Sequence, residues 1–215
     1  MIPKVKICCI SSVAEAKMAI RYGAAALGLV GQMPSGPGVI SDEMIHQISS
    51  TVPPPIATFL LTSHTSAVAI VNHYRQVHTN TIQIVDALSD GSYADIRAAL
   101  PYVKLVQVVH VTGESSIDEC QQIAPYVDAI LLDSGNPNLK IKELGGTGRV
   151  HDWKLSRRIV ESVSVPVFLA GGLNADNVRT AILEVGPFGL DLCSGVRTDG
   201  RLDERKLEQF FKNLN

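Results

Sequence analysis

Two side chains capable of proton transfer stand at the ends of apolar, β-branched runs: Cys8 after Val5-Lys6-Ile7, and Asp133 after Ile130-Leu131-Leu132. A carboxylic acid that keeps its proton near pH 7 needs its pKa raised from about 4, a differential of about 4 kcal/mol that burial can supply. A thiol starts near 8.5 and needs only a modest downward shift to serve as a base. Taken singly, Cys8 equally suits a buried small hydrophobe, and Asp133 a turn residue in Asp133-Ser134-Gly135.

Three glycine-bearing segments add a possible anion cradle. Gly145-Gly146-Thr147-Gly148 lies in a long stretch, 134–152; Ala170-Gly171-Gly172-Leu173-Asn174 and Cys193-Ser194-Gly195-Val196 each follow an apolar run. Glycine lets backbone N–H groups approach an oxyanion closely, and the positive end of a helix dipole favours a dianion without lysine or arginine. A single glycine pair reads equally well as an ordinary strand end. Three at successive late strand ends point to phosphate binding, with Gly146, Gly148, Gly171, Gly172, Ser194 and Gly195 as candidates. His110 ends a strand and could line the pocket, while His151 precedes a helix cap at Asp152. No histidine has a companion at metal-ligand spacing, so no metal is expected.

These groups must be positioned by a repeating scaffold. Short β-branched runs at 4–10, 26–31, 56–61, 81–85, 104–110, 129–133, 165–170 and 189–193 alternate with amphipathic stretches, the pattern of a buried parallel sheet. Eight units is the number that closes a (βα)8 TIM barrel, although a doubly wound open sheet satisfies the same alternation. Helix starts are marked by Ser12 with Glu15 as a capping box and by Ser41, Asp152, Asn174 and Asp203, and Gly23 fits the end of the first helix. In a barrel, Cys8 and Asp133 both project toward the mouth formed by the C-terminal strand ends. Strand alternation lets only one of Cys8 and Cys9 face inward. With Cys8 inward, Lys6 shares its face as Asp191 shares that of Cys193, which predicts a Lys6–Asp191 contact deeper in the barrel.

Composition narrows the classes of function. The 215 residues are 46% hydrophobic and 19% charged, enough for one large core and one domain spanning 1–215. A net charge of -2 and a pI near 6.3 leave no broad basic surface for nucleic acid or an anionic membrane. No run approaches the roughly 20 apolar residues of a membrane span, so a cytoplasmic protein with a small-molecule partner is expected. The four cysteines show no CxxC or zinc spacing and read as reduced thiols. Monomer and homodimer both remain open.

Over nearly its whole length the chain resembles the phosphoribosylanthranilate isomerase family. The resemblance rests on Lys6-Ile7-Cys8, Gly23 through Gly28, Leu131-Leu132-Asp133-Ser134, Gly145 through Gly148 with Asp152-Trp153, Ala170 through Asn174 with Asn177-Val178, and Asp191 through Val196. It implies an Amadori rearrangement in tryptophan biosynthesis, converting an N-phosphoribosyl aminobenzoate into its 1-deoxyribulose form without metal or organic cofactor. By position it makes Asp133 the general acid that opens the furanose ring, Cys8 the general base at ribose C2, and Gln83 a substrate-binding residue.

The pattern departs on the aglycone side. Where the family places an arginine that binds the anthranilate carboxylate, this chain has Gly38, and where it reads Gln-Leu-His-Gly this chain reads Gln83-Ile84-Val85-Asp86. Cys9 replaces a glycine, and Arg197 replaces an acidic residue. A lost charge-assisted hydrogen bond is worth about 1.5–3 kcal/mol, and Arg197, Arg149, Lys140 and Lys142 are the candidates to replace it. Three alternatives therefore stand beside isomerisation of phosphoribosylanthranilate. One is the same reaction on a phosphoribosylamine with a different aglycone. Another is a lyase or epimerase on another phosphosugar, which lacks a convincing Schiff-base lysine. The last is a phosphosugar-binding paralogue without turnover.

Overall fold

The first strand pairs with both the second and the last, which closes the sheet on itself. The computed structural model describes residues 2–135 and 151–214. Its strands are β1 (Lys4–Ile7), β2 (Ala26–Val30), β3 (Ala57–Thr62), β4 (Thr81–Ile84), β5 (Lys104–His110), β6 (Ala129–Asp133), β7 (Val167–Leu169) and β8 (Gly189–Leu192). They pair in parallel and in chain order, and β1 meets β8 with Lys6 opposite Asp191. This is a (βα)8 barrel, and the open-sheet alternative falls with the β1–β8 pairing.

The helices α1 (Val13–Tyr22), α2 (Asp42–Thr51), α3 (Ala67–Val77), α4 (Tyr93–Ala99), α5 (Ser115–Ile123), α6 (Trp153–Ser162), α7 (Val178–Val185) and α8 (Glu204–Leu214) form the outer layer. Strand alternation divides the core in two. Leu60, Ile82, Leu105 and Leu132 point outward to the helices, whereas Phe59, Leu61, Val106, Leu131 and Phe168 fill the barrel. Among the described residues no helix is long and apolar enough to cross a membrane.

Ser41, Asp152 and Asp203 cap their helices, and Gly23 ends α1 at φ 112°. Ser12 accepts from the Glu15 N–H, but the Glu15 carboxylate takes the Ser11 N–H, so the expected reciprocal box is only half formed. Asn174 is corrected: its side chain accepts from Asp176 and Asn177 in the preceding turn, and α7 begins after Asn177. A complete capping box forms at Ser92–Asp95, with aspartate rather than glutamate as the returning arm. Five strands are shorter than expected, β2, β4 and β8 by one residue each and β1 and β7 by three, and β3 is shifted by one residue. β1 stops at Ile7 because Cys9 adopts φ 62°, and β7 starts at Val167 because Pro166 has no N–H to give the ladder.

Candidate active site

The mouth of the barrel gathers Cys8 and Asp133 into one cleft. Cys8 is one residue past β1, its N–H bonded to Leu192 O at 2.7 Å, and Asp133 is the last residue of β6. Gln83, Gly171, Gly172, Asp191 and Ser194 line the same cleft, which encloses about 710 Å³ with the open water at its mouth.

Beneath the cleft lies the expected ion pair. Lys6 Nζ is 2.9 Å from Asp191 Oδ1, with Lys6 wholly buried. Burial alone would lower the Lys6 pKa, but Asp191 and the nearby Cys8 outweigh it and hold the ammonium above its ordinary value. Gly28 on β2 makes room for this group: a Cβ there would fall 2.8 Å from Cys8 Sγ and 3.1 Å from Lys6 Nζ.

Asp133 is buried, and desolvation pushes its carboxyl upward. The Ser134 N–H, 2.7 Å from Oδ1, and His110 act against that rise, Asp191 adds to it, and Lys6 opposes it; the net shift is upward. A raised carboxyl is what a proton donor near neutrality requires. Gln83 is 3% exposed, and its Oε1, on a residue that lines the cleft, has no partner among the described residues, an unmet acceptor of the kind buried polar groups rarely keep.

The late loops are shaped by backbone. Gly171 and Gly172 take φ 82° and 62°, where a Cβ is strained. Asn177 Nδ2 donates to Gly172 O at 3.0 Å, so the trans peptide turns the Leu173 N–H the opposite way. Any Cβ on Gly195 would collide with the Leu173 carbonyl, so that glycine lets the β7 and β8 loops touch. Gly146 and Gly148 lie outside the described residues, as do Arg149, Lys140 and Lys142.

Three expectations change. Both Cys8 and Cys9 are buried at the cleft, because alternation ends with β1 and the left-handed Cys9 turns its side chain back inward. His110 lies beside the cleft, with Thr112 and Glu119, and its Nε2 stands 3.3 Å from Val85 O. Arg197 is not available to a substrate carboxylate. Its guanidinium holds Glu15 at 3.2 Å twice and donates to the carbonyls of Cys8 at 3.0 Å and Cys9 at 2.5 Å. No lysine or arginine is found among the described residues lining the cleft.

Arg197 and Glu15 are thus positioning residues that sequence reasoning missed. Burial would raise the Glu15 carboxyl, but the Leu202 N–H, Arg197 and the Ser11 N–H hold it below its usual range. The signals were present separately, as an unexpected arginine after Ser194-Gly195-Val196 and a glutamate read as a cap, but only the β8–α8 ribbon of Arg197–Thr198 and Arg201–Leu202 brings them together.

The family model for N-(5'-phosphoribosyl)anthranilate isomerase matches residues 5–213. N-(5'-phosphoribosyl)anthranilate isomerase 2 of Methanosarcina mazei is 35% identical over 209 residues, covering 96% of this chain and 92% of its own. Phosphoribosyl anthranilate isomerase from Thermotoga maritima superposes with a TM-score of 0.81 at 28% identity, covering 99% of this chain and 98% of its own. A phosphoribosyl anthranilate isomerase bound to reduced 1-(o-carboxyphenylamino)-1-deoxyribulose 5-phosphate gives a TM-score of 0.78 at 26% identity, with coverage of 99% and 98%. Matched by the family model over residues 5–213, by a relative at 35% identity along nearly its whole length and by barrels of the same fold, this chain belongs to the N-(5'-phosphoribosyl)anthranilate isomerase family.

Proposed function

We propose that the chain isomerises N-(5'-phosphoribosyl)anthranilate by an Amadori rearrangement, with Asp133 as general acid and Cys8 as general base. The observation that carries this reading is the shared cleft, where a buried, upward-shifted carboxyl and a thiol end strands three apart around the barrel. Asp133 donates its proton to the furanose ring oxygen as the C1–O bond breaks, leaving an iminium at C1. Cys8 then takes the C2 proton to give an enolamine; the Cys8 thiol returns a proton to C1 while the C2 hydroxyl proton passes to the Asp133 carboxylate, which completes the ketone and restores both groups. Atoms balance within the substrate, so no cofactor is needed. The Lys6 ammonium lies beneath the acting thiol, fixed by Asp191. Backbone of Gly171, Gly172, Ser194 and Gly195, joined by Gly146 and Gly148, holds the 5'-phosphate, and Gln83 bonds the substrate. The reading carries with it a cytoplasmic enzyme acting on one small phosphorylated sugar amine.

A second substrate reading has its own observation. The described cleft lining carries no cation, and Gly38, at φ 81°, has no space for a side chain beside Cys9. The same isomerisation then acts on an aglycone without a carboxylate. Turnover of phosphoribosylanthranilate, followed by loss of its fluorescence, is compared with turnover of N-phosphoribosylaniline by the wild type. A higher kcat/KM for the anthranilate supports the first reading, a higher value for the aniline supports the second, and inertness toward both would leave a binding protein.

A further inference from the structure

The mechanism uses one of the three thiols at the barrel mouth and leaves two. Cys9 and Cys193, 184 residues apart in the chain, have their sulfurs 2.8 Å from each other. Each lies one residue beyond a backbone bond, Cys8 N–H to Leu192 O, that stitches the β1–β8 seam. Neighbouring strands stand about 4.8 Å apart, within the roughly 4.4–6.8 Å between Cα atoms that a disulfide spans. The cleft reaches both residues, with Cys9 buried and Cys193 partly exposed.

We propose that Cys9 and Cys193 form a reversible redox site that a low-molecular-weight disulfide oxidises to an intramolecular disulfide across the β1–β8 seam. The Cys193 thiolate attacks one sulfur of the small disulfide, whose S–S bond breaks and whose other half leaves as a thiolate. Cys9 gives up its proton and attacks Cys193 Sγ, expelling the second small thiol. The protein loses two protons and two electrons, and the small disulfide becomes two thiols.

The electrostatics match the division of labour. The hydrogen bond with Cys9 lowers the Cys193 thiol pKa, burial opposes that, and the Arg197 guanidinium lowers it further, for a net downward shift. Cys9 is pushed well above its ordinary value by its bonds to the Cys193 and Cys8 sulfurs and by burial. The more exposed sulfur is therefore the readier nucleophile, and the protonated one waits beside it. Cys120, on the buried face of α5 and pushed up to about 12 by burial and Glu119, has no such neighbour among the described residues.

The test is independent of the substrate. Reduced wild type is incubated with excess oxidised glutathione, remaining thiols are alkylated, and disulfides are mapped by mass spectrometry. Before alkylation the expected product is lighter by two hydrogens and returns to the starting mass with dithiothreitol; after alkylation, peptide mapping shows a Cys9–Cys193 linkage. Cys8→Ala and Cys120→Ser should retain the linkage, and Cys9→Ser should stop at a glutathione adduct on Cys193. Circular dichroism checks that each variant is folded. A wild type that stays fully reduced, keeps a stable glutathione adduct, or links Cys8 overturns the proposal.

Discussion

Cys9 and Gly38 divide one volume between them: a Cβ on Gly38 would fall 2.5 Å from Cys9 Cβ and 3.0 Å from its Sγ. Cys9 also sits at φ 62°, a conformation that favours glycine. The side chain present at one position is thus the reason that none fits at the other. The two positions at which the sequence departs from the pattern of the resemblance on the aglycone side are therefore in contact.

That coupling predicts a non-additive pair. Gly38→Arg alone should destabilise by about 2–4 kcal/mol, from a left-handed backbone and overpacking against Cys9. Adding Cys9→Gly should return about 1–3 kcal/mol of that in a double-mutant cycle read by urea unfolding. In the double variant the restored cation should lower KM for phosphoribosylanthranilate by roughly 10–100-fold. Strict additivity would show that the two sites do not share space.

Arg197 should matter through the backbone it grips. Arg197→Met strands Glu15, whose side chain is 12% exposed, and removes the donors to the Cys8 and Cys9 carbonyls. An expected loss of about 3 kcal/mol in unfolding free energy should accompany a fall in kcat larger than any change in KM. Because the folded Glu15 carboxyl lies below its unfolded value, its contribution is present above the unfolded pKa and is lost as pH falls through the folded one. The difference between wild type and Arg197→Met should therefore shrink in acid.

Gly28→Ala tests the space under the thiol. The added methyl meets both Cys8 Sγ and Lys6 Nζ, so kcat should fall about 10²-fold from misplacement of the base. Unfolding free energy should drop by about 1–3 kcal/mol. Gly113→Ala, where a Cβ meets nothing within 4 Å, is the control and should leave kcat unchanged.

Asp133 sets the opposite pH trend. Its folded pKa is raised by burial, so the folded chain binds the extra proton, and stability falls as pH rises from the unfolded value through the folded one. Asp133→Asn removes that fall. The variant should therefore gain on wild type in Tm as pH climbs from the unfolded carboxyl value through the raised folded one.

Much of this was legible in the sequence because period-2 burial and β-branched runs are local. Strands such as 104–110 and 129–133 coincide with β5 and β6 to the residue. The Lys6–Asp191 pair followed from alternation on neighbouring strands. What escaped depended on a backbone dihedral or on loops meeting across the seam. Cys9 points inward only because of its left-handed turn, and Arg197 finds Glu15 only through the short ribbon before α8. Asn174 was misplaced because an asparagine that caps a turn and one that caps a helix carry the same local signal.

Proton transfer by Asp133 and Cys8 is tested by single-turnover fluorescence decay of phosphoribosylanthranilate with wild type, Cys8→Ala and Asp133→Asn. Removal of a general acid or base costs roughly 10²–10⁴ in rate, and each variant should show a loss of that size with unchanged circular dichroism. A Cys8→Ala or Asp133→Asn protein that turns over at the wild-type rate would show that the proton moves by another group.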